Sequence, residues 1–185
     1  VMGWRRDFHQ HPEGSNLGVR TAGIVAGHLR ALGFAVQTGV AHTGVVGLLD
    51  SGRAGPVIAL RADMDALPVA EEVDLPFASK QRTTFNGQEV GVMHACGHDV
   101  HTTCLLGAAK ILNELKDEWE GTVKLIFQPG EEKNPGGASI LIKEGVLENP
   151  KPSSIFALHV HPGVEVGRLS FRGGMIMASA DEIYI

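Results

Sequence analysis

Val123-Lys124-Leu125-Ile126-Phe127 is the run that decides the fold, because four of its five side chains are apolar. A run this short and this apolar is typical of a central strand in a sheet that helices cover on both faces. The polar run Gln128-Pro129-Gly130-Glu131-Glu132 follows it directly. The sequence therefore predicts a buried strand whose carboxyl end leads into an acidic loop.

Strand-like and helix-like segments alternate on both sides of this run. Further strands are predicted over residues 35–40, 44–49, 57–62 and 155–159, the first two as a hairpin. Helices are predicted over residues 21–32, from Asp99 onward, and over residues 137–144. This alternation indicates an α/β fold with a helix-covered, largely parallel sheet, and such sheets place their ligand sites beyond the carboxyl ends of the strands.

Three other segments carry weaker signals. The polar residues 80–89 are predicted to form an exposed loop, and the stretch from residue 166 to be one strand, a break at Gly173-Gly174, and the beginning of another. In the long helix the apolar stripe consists of Val100, Cys104, Ala108, Ile111 and Leu115. This stripe predicts the buried face of the helix and makes Cys104 a core residue.

Composition and charge exclude several classes of function. Hydrophobic residues make up 43% of the 185 residues and charged residues 20%, as in an ordinary globular domain. A net charge of -5 with dispersed basic residues disfavours a nucleic-acid partner. No apolar run reaches the roughly 18 residues that span a bilayer, so we expect a soluble chain without a membrane partner, in an undetermined compartment.

The densest group of potential metal ligands is His94-Ala95-Cys96-Gly97-His98-Asp99-Val100-His101, before the long helix. The glycine between Cys96 and His98 permits a sharp turn, so that thiolate and imidazole can converge on one ion. Two other interpretations stay open, namely solvated histidines beside a buried thiol, and a Cys96 nucleophile with a histidine base.

Two more candidate ligand positions follow predicted strands. Glu131 and Glu132 form an adjacent pair, of which one carboxylate can bind a metal while the other acts as a general base. His159 ends the strand over residues 155–159, and Asp65 follows another strand, where it can orient a metal-bound histidine. Taken singly, an acidic pair is solvated as often as it is functional, and a lone histidine is more often structural than a metal ligand. The hypothesis of a metal site therefore depends on these positions meeting at one edge of the sheet.

The remaining histidines have no second type of ligand beside them. His9 and His11 lie in a polar first segment, His28 lies on a helical stripe, and His42 lies in the predicted hairpin turn. We interpret all four as structural.

Five motifs follow one another along the chain, namely RRDFHQHPE, ALRADMDALPV, GVMHACGHDVHTT, LIFQPGEE and IFALHVHP. In this order they resemble the M20 metallopeptidases, specifically the N-acyl-amino-acid amidohydrolase subgroup with its aminoacylases, hippurate hydrolases and auxin-conjugate hydrolases. The resemblance implies a zinc-peptidase-like three-layer catalytic domain with two divalent metal ions, zinc, manganese or cobalt. It also implies that Cys96, His98, Glu132 and His159 are metal ligands.

The resemblance further implies hydrolysis of the amide bond of an N-acyl amino acid or small peptide. A metal-activated hydroxide would attack the carbonyl with Glu131 as general base, releasing a carboxylic acid and a free amino acid. The alternatives are a non-catalytic metal-binding domain of the same fold and a Cys96-dependent thiol hydrolase.

By the same resemblance, residues 1–177 are an incomplete catalytic domain, and residues 178–185 begin a smaller lid or dimerisation domain. Relatives continue with that domain, through which they could form homodimers, and with a further histidine ligand. We therefore expect the chain alone to be inactive or weakly active. Two departures from the family pattern lie in residues 14–19, where two glycines weaken the helix start, and at Gly130, where alanine is usual and the change is expected to be minor.

Overall fold

A computed structural model describes residues 1–134 and 136–176 and contains one mixed five-stranded sheet. Its strands, in the order β1-β2-β6-β3-β7, are β1 (Ala35–Val40), β2 (Gly44–Asp50), β6 (Thr122–Gln128), β3 (Val57–Asp63) and β7 (Ser154–Ala157). The pairs β1-β2 and β2-β6 are antiparallel, whereas β6-β3 and β3-β7 are parallel. Four of the five strands therefore point the same way, and the predicted hairpin and the largely parallel sheet are both confirmed.

Helices cover both faces of this sheet. On one face lie α1 (Met2–Gln10), α2 (Val19–Ala31) and α3 (His98–Glu114), and a short 3-10 turn (Lys116–Glu118) follows α3. On the other face lies α4 (Gly137–Lys143), which packs on β6. The result is three layers, as the alternation of segments predicts. None of the described helices combines the length and the apolar character that crossing a membrane requires.

The central strand β6 contributes to both cores because its side chains alternate between the two faces. Val123, Leu125 and Phe127 belong to the core beneath α2 and α3, whereas Ile126 belongs to the core beneath α4. Phe127 is fully buried, which stabilises the fold by roughly 1.5 to 3 kcal/mol relative to an exposed ring. On the α4 side, Lys124 is also buried, and its Nζ donates to the carbonyls of Val146 and Pro150, each at 2.6 Å.

The prediction of the buried face of α3 is wrong. Ile111 and Leu115 are exposed and Cys104 lies at the surface, so Cys104 is not a core residue. The buried face instead consists of His98, Asp99, His101, Thr102, Thr103, Leu105, Leu106 and Ala109. The first turns of α3 face the carboxyl end of the sheet, so polar side chains are buried there and hydrophobicity alone selects the wrong stripe.

Two more segments differ from expectation. Residues 80–89 are exposed but contain much of a two-stranded hairpin, β4 (Arg82–Phe85) and β5 (Gln88–Gly91), with Asn86 and Gly87 at positive φ in its turn. The polar first segment forms the helix α1, which buries Phe8 and His9.

The last expectations concern the end of the chain. Residues 166–176 contain no strand, contrary to the prediction. The predicted beginning of a smaller domain at residues 178–185 lies outside the described residues.

Candidate metal centre

The carboxyl ends of β6, β3 and β7 lie side by side, and the amino end of α3 meets them there. Gly97 precedes α3 with a φ of 83°, in the left-handed region that favours glycine. A side chain at this position would also collide with Val160, which follows β7. Glycine at position 97 therefore allows Cys96 and His98 to flank a tight turn against the loop after β7.

The four predicted metal ligands come together around His98. The Sγ of Cys96 lies 3.3 Å from the Nε2 of His159, and the Nε2 of His98 lies 3.6 Å from the Oε1 of Glu132. One ligand atom each from Cys96, His98 and His159 lie within 4.8 Å of one another. The same holds for His98, Glu131 and Glu132, and for Asp63, His98 and His101, so three overlapping groups share His98.

His98 fits a cation on the side that faces these groups. Its Nδ1 donates to the backbone carbonyl of Asp65 at 2.8 Å, which leaves the Nε2 as an electron-pair donor. Among the described residues, neither this buried Nε2 nor the buried Oε1 of Glu132 has a hydrogen-bond partner. Buried polar atoms are seldom left unpaired, and a divalent cation between these two would satisfy both.

Asp65 holds the acidic loop as well as the histidine. Its Oδ2 accepts hydrogen bonds from the backbone amides of Glu131 and Glu132, at 2.9 and 3.0 Å, and from the hydroxyl of Ser15 at 2.5 Å. The His98 Nδ1 lies 3.3 Å from the other carboxylate oxygen, farther than from the Asp65 backbone carbonyl. The carboxylate of Asp65 therefore fixes where the acidic pair leaves β6, a role that its position after β3 does not reveal in sequence.

Asp63 and His101 form a second buried pair that sequence reasoning did not assign. The Nδ1 of His101 donates to Asp63 at 2.6 Å, and its Nε2 accepts from the backbone amide of Val160 at 2.9 Å. The rings of His101 and His159 lie 4.5 Å apart. His101 therefore supports the loop that carries His159, and its spacing of three residues from His98 on one helical face is the signal that could have found it.

The charges of this centre favour a bound cation. Burial raises the pKa of Asp63, but the hydrogen bond from His101 and the charge of Arg61 outweigh burial and lower it to about 2. Burial and the nearby carboxylate of Glu132 raise the pKa of the Cys96 thiol to about 12. Burial also raises the pKa of Glu132. Without a cation, Cys96 is thus a neutral thiol, which disfavours its interpretation as a free thiolate nucleophile.

The histidines that the sequence left structural take structural positions. His9 is buried between two carboxylates, and His28 packs against Trp4 with ring centroids 4.7 Å apart. His42 adopts a φ of 77° in the turn between β1 and β2. The Nδ1 of His11 donates to the backbone carbonyl of Asp7 at 3.0 Å, one turn back along α1.

Comparison with known proteins decides the family, since residues 59–174 match the model of peptidase family M20/M25/M40. The chain belongs to this family. The matched residues of this M20 chain include all six predicted site residues.

Several relatives of this M20 chain are named as hydrolases of amino acid amides. An IAA-amino acid hydrolase of Arabidopsis thaliana is 46% identical over 97% of the chain and 39% of its own length. An N-acyl-L-amino acid amidohydrolase of Geobacillus stearothermophilus is 39% identical over 100% of the chain and 47% of its own length. The M20 chain thus spans less than half the length of these curated relatives.

A solved structure carries the same fold. The crystal structure of a dinuclear metal binding peptidase of the M20 family from Bacillus subtilis aligns with a TM-score of 0.79 and 41% identity. The alignment covers 90% of the M20 chain and 44% of the solved chain. The expected α/β fold and family are therefore both confirmed.

Proposed function

We propose that this chain supplies the metal centre of a hydrolase that cleaves the amide bond of N-acyl amino acids. The observation that carries the proposal is the pair of buried, unpartnered atoms, His98 Nε2 and Glu132 Oε1, 3.6 Å apart beside Cys96 and His159. A thiolate, two imidazoles and a carboxylate form a donor set suited to zinc and related divalent ions.

Cys96, His98, Glu132 and His159 would hold two divalent ions, of which zinc, manganese and cobalt are the candidates. Of the three overlapping groups that share His98, one adds Cys96 and His159 and another adds the two glutamates, which supports a dinuclear arrangement. The solved relative is described as a dinuclear metal binding peptidase. Bound divalent ions supply Lewis-acid chemistry, lowering the pKa of water to roughly 7 and polarising a carbonyl oxygen.

Glu131 would act as the general base and then as the general acid. Its side chain is exposed at the edge of the site, while its backbone amide is held by Asp65. In this position the carboxylate accepts a proton from the attacking water and delivers it to the departing amine nitrogen, since the amine leaves only when it is protonated. Asp65 acts indirectly, by holding the backbone of both glutamates and by facing His98.

The substrate class follows from relatives whose names specify N-acyl or auxin-type amino acid amides. The proposal assigns residues 1–177 to an incomplete catalytic domain and residues 178–185 to the beginning of a smaller domain. Contacts to the carboxylate of the substrate, a further histidine ligand and any homodimer contacts would come from the rest of a longer protein.

The test is Glu131→Gln in the full-length protein, compared with Glu118→Gln, an exposed position in the 3-10 turn after α3. We expect Glu131→Gln to lower kcat on acetyl, benzoyl and indole-acetyl amino acids by at least about 100-fold, because general acid-base catalysis contributes that much or more. Metal content, measured by elemental analysis, should stay near the wild-type value in both variants. Near-normal turnover of Glu131→Gln would show that another group is the base.

Hydrolysis of the same substrates before and after treatment with a chelator separates the alternative functions. A thiol hydrolase would keep its activity after treatment with a chelator, whereas the proposed enzyme would lose activity and regain it with zinc or manganese. A non-catalytic metal-binding domain would bind stoichiometric metal and hydrolyse none of the substrates.

A further inference from the structure

The side chain of Asn16 fills the space beside Gly130, the residue just before the acidic pair. A methyl group built on Gly130 would lie 2.8 Å from the Oδ1 of Asn16, 3.0 Å from its Nδ2 and 3.1 Å from its Cγ. Separations this short are repulsive, and the three nearest atoms all belong to Asn16. The absence of a side chain at position 130 is therefore what permits this contact.

The backbone of Asn16 is bound to the loop that follows β6. Its φ of 63° lies in the left-handed region, which asparagine tolerates better than most residues. Its backbone amide donates to the carbonyl of Pro129 at 2.9 Å, and its Oδ1 is buried without a partner among the described residues. Both the backbone and the side chain of Asn16 thus rest on the loop that leads from β6 to Glu131.

The neighbours of Asn16 tie this loop to Asp65. Ser15 donates its hydroxyl to the Asp65 Oδ2, the same atom that accepts the amides of Glu131 and Glu132. Gly14 forms an isolated bridge with Ala66. Residues 14–16, here called the strap, therefore connect the loop after β3 with the loop after β6.

The other side of Gly130 is also closed. Its carbonyl accepts the side-chain amide of Gln128 at 2.8 Å and the backbone amide of Gly137 at 2.5 Å. The Gln128 oxygen is in turn held by Arg61, at 2.8 and 3.0 Å. An added methyl group at position 130 therefore requires a movement of the Asn16 side chain, the strap or the loop.

We infer that Asn16 is a positioning residue for the acidic loop and that Gly130 and Asn16 form one coupled pair that sets the location of Glu131 and Glu132. The role of Glu131 as base rests on the proposed function, whereas the location of the loop does not. The sequence predicts a minor effect of the residue type at position 130, whereas this contact predicts a larger one.

The test is a double-mutant cycle in the full-length protein with Gly130→Ala, Asn16→Gly and the double variant. Glycine is the right replacement at position 16, because it keeps the positive φ while removing the side chain. Gly27→Ala is the matched control, since Gly27 is exposed in α2 and a methyl group there meets nothing within 4 Å.

Two properties are compared between the variants, the affinity for Zn²⁺, measured by competition with a chelator, and kcat at saturating metal. KM is obtained from the same kinetic measurements. We expect Gly130→Ala to lower kcat about 10-fold or more with KM little changed, because small misplacements of catalytic groups have large effects. We expect its Zn²⁺ affinity to fall by about 10-fold, the lower end of the range for groups that support metal ligands. The double variant should return to within about 3-fold of Asn16→Gly in both quantities, since coupled residues are non-additive.

The inference would be overturned if the fold-changes of the double variant, in Zn²⁺ affinity and in kcat, equalled the product of the fold-changes of the two single variants. A Gly130→Ala variant that matches the wild type in both would also overturn it. A purely structural contact would lower the melting temperature while leaving the kcat and the Zn²⁺ affinity of the folded protein unchanged, which also contradicts it. If the wild type hydrolyses no N-acyl amino acid, the proposed function fails, and the Zn²⁺ cycle still decides whether the pair positions Glu132.

Discussion

The Nδ1 of His9 lies 2.8 Å from the Oδ2 of Asp99, the residue that follows His98 in the first turn of α3. The other ring nitrogen of His9 lies 2.9 Å from the Oε1 of Glu71. Because ionised carboxylates only accept hydrogen bonds, both nitrogens of His9 must donate, which requires the imidazolium form. Arg5 adds a second cation at 2.9 Å from Asp99, so α1, the loop after β3 and α3 are joined by a buried, neutral cluster.

His9→Gln is therefore expected to lower the free energy of unfolding by about 3 to 5 kcal/mol near pH 6, as when one partner of a buried ion pair is removed. The hydrogen bond to Asp99 raises the pKa of His9 above its usual 6.5. A raised pKa contributes stability that is complete below pH 6.5 and is lost as pH rises through the pKa of the folded state. Urea unfolding of both proteins at pH 6 and pH 9 should show a smaller difference at pH 9, and a difference independent of pH would contradict this account.

Asp65→Asn is expected to weaken metal affinity and lower kcat about 10- to 100-fold, the range found for groups that support metal ligands. The amide oxygen of asparagine cannot replace a carboxylate that accepts from Ser15, Glu131 and Glu132 and also faces His98. Chelator competition and steady-state kinetics measure both effects. The matched comparison is Asp50→Asn at the exposed end of β2, for which wild-type values are expected.

The two cysteines should differ in their reaction with iodoacetamide at pH 8 in the metal-free protein. Burial raises the pKa of both thiols, but at Cys96 the carboxylates of Glu132, Glu131 and Asp63 raise it further, to about 12. The thiolate is the reactive form, so Cys104 should be alkylated first. Peptide mapping by mass spectrometry measures the order, and faster modification of Cys96 would show that its surroundings are less negative than these contacts imply.

Gly23→Ala and Gly27→Ala should each stabilise the protein by about 0.4 to 1 kcal/mol, because alanine restricts the unfolded chain and favours the helix. Both glycines are exposed in α2, and a methyl group on either meets nothing within 4 Å. Thermal unfolding measures the gain. Gly47→Ala is the contrasting variant and should destabilise the protein, since its methyl group would lie 2.9 Å from Leu29.

The sequence predicts the sheet well, because the nearly continuous apolar runs of β2 and β6 are typical of strands that are covered on both faces, and both strands are largely buried. The sequence does not predict the buried face of α3. There the polar His98, His101 and Thr102 are buried beside the candidate site, whereas the apolar Ile111 is exposed. The hairpin of β4 and β5 was missed although Asn86-Gly87 is a strong turn signal, because its strands are short and polar.

Much the same division holds for the candidate site. The convergence of Cys96, His98, Glu132 and His159 could be predicted, because each lies shortly after a predicted strand or near the start of α3. The strap and the Asp63-His101 pair could not, since their contacts join positions far apart in the chain and depend on packing. Asn16 in particular has no local pattern, and only its contact with Gly130 shows its place.

β7 ends the sheet, and among the described residues it pairs only with β3. Its outer backbone amides and carbonyls therefore offer a template that an extended peptide can continue, flanked by Ile155 and Phe156, which are 51% and 60% exposed. When these 185 residues are produced on their own at high concentration, copies are expected to associate by pairing their β7 edge strands. Their solubility would then depend on dilution or on a strand that pairs with β7.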